Sequence, residues 1–534
     1  MTHFIQQQHL HVSLNGTEEE GLALQNRLPD FCNDWLQKAI EQVLDRCAPA
    51  DGRLYIEHLE IDVGTIRMDR LEQDMAGVVA SALETAIREK AVPAAANMPD
   101  TGTAVQIKTD TQTAWEAFVY FLETGRFPWS FRLPPGETLE TLLLKTVQDN
   151  ALPAFAIAQL KKALAIQTAR QRVVMQFSVA FLSQISAFLS PEIPLMVHRI
   201  HSESSRYSAL LSFEKHLWLS ALEQIANSDV IREAALFAGA VRWMEPLSAV
   251  DKVALGTVLR RLSPDLKDIA TADLAVLNEL RTIVSGKQPD KSGAIEQTHE
   301  TKAGKREASD GNDAIPPRDA SKTSENKQEA GTQDFIPSDS GAAPESLPKS
   351  ATSLPETRET RTPDVFSIPE GEAIYIDNAG LVILHPFLAL FFEALGVARE
   401  GELLHPQRAL QLLHFLATGQ ETAPEHELVL PKVLCGLAPD ALAETGSPLS
   451  ETEKEEATHL LETVVRYWDA LRDTSPDGLR GAFLCRSGSL SRRGKDWLLQ
   501  VERMSHDILL EQLPWGISVV QLGWMEEVVW VEWG

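Results

Sequence analysis

The stretch "IYIDNAGLVILHPFLALFFEALG", Ile374 to Gly396, is the most apolar in the chain, and its reading decides the fold. A membrane-spanning helix needs about 20 consecutive apolar residues. Here the apolar part from Ala379 to Phe392 is interrupted by His385 and Pro386. "AIYI" has instead the pattern of a short strand, "DNAG" that of a turn, and Pro386 stands where a helix closed by Gly396 would begin. Leu384, Phe387, Leu388, Phe391, Phe392 and Leu395 then share one helix face. Such a stripe is ordinarily domain core, with any excess left for a partner protein.

The residues downstream are strongly patterned. "LSETEKEEATHLLETVVRYWDAL" sets Ser450 and Glu453 at capping-box spacing and puts Ala457, Leu460, Leu461, Val464, Trp468 and Leu471 on one stripe. "SPDGLRGAFLCR" offers Ser475 as N-cap and Pro476 at the first helical position, while "DWLLQVER", "ISVVQL" and "VVWVEW" read as strands. Residues 369–534 are therefore expected to form an α+β domain. Upstream, residues 286–368 carry no Trp, Tyr or Cys and only Phe335 and Phe366 among large aromatics. Too little apolar surface is available there to offset ordering entropy, so a disordered linker is expected. Its 15 acidic and 11 basic residues leave most of the net charge on the folded parts.

Residues 111–285 are patterned as helices almost throughout, as in "AFAIAQLKKALAI" and "SALLSFEKHLWLSALEQIA", and are expected to be an all-helical domain without a strict repeat. Residues 91–110 read as a short linker. Residues 1–90 read as a βαβα unit. Leu10, Val12 and Leu14 alternate with His9, His11 and Ser13 as in a half-buried strand, and Thr17–Glu20 has capping-box spacing. The next helix would bury Leu24, Leu28, Phe31, Trp35 and Ala39, with Pro29 breaking or kinking it. "LYIEHLEIDVG" would be a second strand bulged near His58, followed by a helix burying Met68, Leu71, Met75, Val78, Ala82 and Ala86. The fold class is thus mainly α with α+β ends.

Composition narrows the function. At 534 residues roughly three domains are expected. The 76 acidic against 49 basic residues give a formal charge of −27, which disfavours nucleic acid and anionic membrane as partners. Cys32, Cys47, Cys435 and Cys485 form no C-x-x-C pair, as a reducing cytosol would allow, and no signal peptide or transmembrane segment is read. Phosphate-binding loops, nucleophile elbows and H-E-x-x-H are missing; "PEHELVL" has one His–Glu pair without a second histidine at helical spacing. His9, His11 and His58 could converge on a metal, making a cryptic metal-dependent enzyme one alternative. Without a carboxylate to orient them, a solvated strand face is the better reading. His198 and His201 read as a surface pair, and His414, among Leu410, Leu413 and Ala417, as a hydrogen-bonded core histidine. No catalytic, cofactor or metal site is expected.

The motifs together resemble the tape-measure protein family of bacterial contractile injection systems, phage-tail-like particles typified by the antifeeding prophage. The resemblance is carried by "HLHVSLNGTEEEGLALQNRL" with "LYIEHLEIDVGTI", by "FLETGRFPW", and most closely by "IYIDNAGLVILHPFL", "LLHFLATG", "EHELVLPKVLCGL", "TSPDGLRGAFLCR" and "LPWGISVVQLGWM". It implies a non-enzymatic assembly protein that sets inner-tube length and contacts inner-tube and baseplate proteins, in the bacterial cytoplasm during assembly and then within the particle. A cytosolic assembly chaperone or cargo adaptor of the same system is the alternative. The motif positions Gly125, Pro128, Trp129, Asn378, Gly380, His385, Pro386, Gly419, Gly436, Pro514, Trp515 and Gly516 are expected to serve structure or partner contact.

Overall fold

The computed structural model describes residues 3, 5, 8–49, 52–95, 105–134, 136–149, 154–210, 212–228, 230–267, 270–285, 372–444 and 446–533. The expected linker, 286–368, lies outside them. The class is mainly α, with strands few and gathered chiefly near the C-terminus. The described residues of 1–288 and 366–534 form one compact unit, built around three apolar clusters.

The first cluster corrects the expected βαβα order. Residues 8–15 form no strand and are exposed. The order is instead two helical segments, Glu18–Phe31 and Gln37–Cys47, then strand Arg53–Ile56, helix Leu71–Ala95 and strand Val105–Lys108. The two strands pair antiparallel, so part of the expected 91–110 linker belongs to a sheet. The Thr17–Glu20 capping box is present. Helix Glu18–Phe31 runs through Pro29 and passes into a π-helical turn, Cys32–Leu36. The wider turn shifts the phase of the next helix. Leu36, Ile40 and Val43 are buried, whereas Trp35 is 61 % exposed. In Leu71–Ala95 the buried ridge is Met75, Val79, Leu83 and Ile87, four residues apart, and not the expected Val78, Ala82 and Ala86. The ridge with the larger side chains removes more apolar area from water.

The second cluster spans ten α-helices from Asp110–Thr124 to Thr271–Ser285. Helices Phe213–Asn227 and Glu233–Trp243 are packed on several sides and contribute many of the buried apolar residues. They approach closely because Gly239 lacks a side chain: a Cβ there would lie 2.2 Å from Ser220 Oγ.

The third cluster is one-sided. Its sheet runs Ala373–Ile376, Gly488–Arg493, Asp496–Val501, Val529–Trp533, Val519–Val520; only the Asp496–Val501/Val529–Trp533 pair is parallel. The opening apolar stretch supplies the first strand, then a 3₁₀ segment, Ala379–Leu384, that begins within the expected "DNAG" turn and has all six residues buried. Helix His385–Ala394 comes next, with Pro386 in its first turn and Gly396 beyond its end at φ +67°. Leu388, Phe391 and Phe392 are buried, and Phe387 and Leu395 pack partly against them. The Ser450–Glu453 capping box and the Ser475 N-cap form as expected. "ISVVQL" shortens to a two-residue strand, Val519–Val520, and Gly488–Arg493 is a strand the sequence did not signal.

Candidate functional site

The helical cluster and the C-terminal cluster meet at a buried ionic seam. On the helical side, Asp110–Thr124 is N-capped by Thr109 and stopped by Gly125 at φ +75°. Helix Gln167–Gln176 brings Arg172 beside that stop. On the C-terminal side, "EHELVLPK" folds as a 3₁₀ turn, Glu425–Glu427, leading into helix Val429–Leu434. Arg172 donates from Nε to Glu425 Oε1 at 3.0 Å, from Nη1 to the Leu122 carbonyl at 2.5 Å and from Nη2 to the Asp440 carbonyl at 2.7 Å. Lys432 Nζ donates to the same Glu425 oxygen at 3.0 Å and to the Pro439 carbonyl at 3.2 Å. Gln176 closes the group, accepting from Glu425 N and donating to the Ala443 carbonyl. The side chains of Arg172, Glu425 and Lys432 are all 0 % exposed.

Three buried charges cost several kcal/mol each to desolvate, and only mutual pairing offsets this. Burial pushes the Lys432 ammonium below its usual range, against the opposing pull of Glu425. The cluster carries two cations on one carboxylate, and Glu425 Oε2 has no hydrogen-bond partner. Gly125 makes the approach possible, since a Cβ there would stand 2.6 Å from Glu425 Oε1 and 3.2 Å from the Arg172 guanidinium.

Around this group lies a second layer. His426 stacks on Phe127 with ring centroids 4.2 Å apart and meets the edge of Phe121. Burial there lowers its pKa to about 4, so the ring is neutral at pH 7. Glu427 is pulled two ways: burial raises its pKa, while the hydrogen bond with His414 at 2.8 Å lowers it, leaving it below normal. Asn378 donates to the Glu427 carbonyl at 2.8 Å. Arg132 lies 3.5 Å over the Tyr375 ring, and burial raises the Asp377 carboxyl against the pull of Arg132.

The motif residues divide between this seam and the C-terminal core. Gly125 and Asn378 lie in the seam; Pro128 closes a turn with Phe131 N, and Trp129 leans on Tyr55. Gly380 is the tightest position, because a Cβ would fall 1.6 Å from the Phe483 carbonyl oxygen. His385 bonds the Val382 carbonyl, and burial lowers its pKa. Gly419 and Gly436 close helices at φ +73° and +69°. Trp515 donates to the Ile383 carbonyl at 2.9 Å, while its neighbours Pro514 and Gly516 are exposed. His414 is buried with both ring nitrogens engaged, as expected of a core histidine.

Arg172, Lys432 and the carboxylate role of Glu425 were missed by the sequence reading. The available signal was a lysine inside the apolar run "LVLPKVL". The metal alternative loses its scaffold, because the strand meant to align His9 and His11 does not form and both, like His58, are exposed. Among the described residues no three His, Cys, Asp or Glu side chains are placed to hold a metal ion, and no helix is long and apolar enough to cross a membrane.

No curated protein and no solved structure matches the chain. A family model described as contractile injection system tape measure protein matches residues 2–533, nearly the whole length. The motifs that carried the resemblance thus lie in one continuous match, several of them meeting at the seam, and the chain belongs to the contractile injection system tape measure protein family.

Proposed function

We propose that this chain is a non-enzymatic assembly protein that sets inner-tube length, its folded body binding inner-tube and baseplate proteins and the segment 286–368 supplying reach. The family makes it a structural component that associates with other parts of a contractile injection system. The observation that supports the finer reading is the seam, whose charges face one another across two cores and serve to hold them in register. The longest described helix, Leu71–Ala95, has 25 residues, or roughly 37 Å at 1.5 Å per residue, far too short for a helical ruler. The 83 residues of 286–368 reach at most about 280 Å when fully extended. Assembly in the bacterial cytoplasm and retention in the particle accompany this role.

Electron microscopy of particles made without the chain tests the proposal. Absent tubes, or tubes of scattered length, are expected; tubes of normal, uniform length would overturn it. The folded body also favours a second reading, a cytosolic assembly chaperone or cargo adaptor. Mass spectrometry of purified particles separates the two, since a tape measure remains in them and a chaperone does not.

A further inference from the structure

Residues 8–15, "QHLHVSLN", have the alternation of a half-buried strand yet, among the described residues, no strand to pair with. Every residue is exposed, with Leu10, Val12 and Leu14 at 40, 43 and 39 %, and none has a backbone hydrogen bond among the described residues. A row of unpaired N–H and C=O groups flanked by alternating apolar side chains is what strand addition to a sheet edge uses. The same chain carries a matching edge. Its N-terminal sheet has two strands, Arg53–Ile56 and Val105–Lys108. Leu54 and Ile56 pack against the core formed by Leu36, Val43 and Met75. Ile107, paired with Leu54 and so on the same face, is left 37 % exposed. Among the described residues no third strand borders Val105–Lys108.

We propose that residues 8–15 are an exchanged strand, pairing with the open edge of Val105–Lys108 in a second copy of this chain so that Leu10 and Val12 cover its Ile107. The single chain holds both halves and, among the described residues, pairs neither. Its own segment is tied elsewhere, by His3 on Asp45 at 2.9 Å and by the Thr17–Glu20 capping box. A reciprocal exchange satisfies both edges at once and closes a two-fold dimer. This proposal is independent of the tape-measure reading.

The test uses the full chain in two preparations, one Val12→Cys and one Ile107→Cys, mixed, mildly oxidised and mapped by mass spectrometry. An inter-chain 12–107 disulfide is expected, with Ser13→Cys, on the opposite face, giving at most about a tenth of its yield. By light scattering the unaltered chain should be dimeric, and Val12→Glu should weaken the dimer at least about tenfold with unchanged circular dichroism. Three results would overturn the proposal: equal yields from positions 12 and 13, a monomer at ~100 μM, or a 12–107 disulfide that closes within one chain when both cysteines are present.

Discussion

Glu425→Gln removes one charge from the seam and almost no volume. The carboxylate is the shared partner of Arg172 Nε and Lys432 Nζ, each 3.0 Å from Oε1, with all three side chains 0 % exposed. After substitution two buried cations share a neutral amide. At an effective dielectric of about 20, each lost attraction is worth ~4 kcal/mol, offset by relief from desolvating the carboxylate, and breaking a buried pair costs about 3–5 kcal/mol net. Lys432 moderates the loss: burial already disfavours its charged form and Glu425 opposes that, so without the carboxylate the cost should shrink as pH rises. Urea unfolding followed by tryptophan fluorescence reads both sides, since Trp115 and Trp218 lie in the helical core and Trp468 and Trp497 in the C-terminal one. Adding Lys432→Met should recover part of the loss, a coupling of about 1–3 kcal/mol. A loss under ~1 kcal/mol for Glu425→Gln, or strict additivity in the double variant, would refute the argument.

Acid should weaken the same seam. His426 has a folded pKa of about 4 against an ordinary 6.5, so its contribution is whole above pH 6.5 and lost as pH falls toward 4, up to ~3 kcal/mol. Subtracting the urea midpoints of His426→Gln from those of the unaltered chain between pH 8 and 4 should isolate that slope, and parallel profiles would contradict it. Gly380→Ala should destabilise by about 3 kcal/mol or more, its Cβ meeting the Phe483 backbone. Gly516→Ala, with nothing within 4 Å, should stay within about 0.5 kcal/mol; thermal melts compare the two. Ser450→Ala removes a cap that accepts from Glu453 N and should cost ~1 kcal/mol by the same melts.

Much of the C-terminal region was legible because local signals there agree with tertiary demands. The apolar stripe from Leu384 to Phe392, the Ser450 capping box and the glycine stops all encode their own geometry. The N-terminal region misled for identifiable reasons. Residues 8–15 alternate as a strand does, but alternation does not supply a ladder partner. A π-turn after Pro29 moved burial from Trp35 to Leu36, which no helical period anticipates. The seam was illegible because it joins Arg172 to Glu425 across 253 positions. The sequence shows an arginine in "ARQRVV", a His–Glu pair and a lysine in an apolar run, and only folding makes them one group.

Graded deletions within 290–365, with the seam and both folded flanks intact, test most directly that the body anchors and the intervening segment measures. Tube lengths in electron micrographs should fall in proportion, by at most about 3.4 Å per residue removed. Tubes of unchanged length across the series would contradict the account.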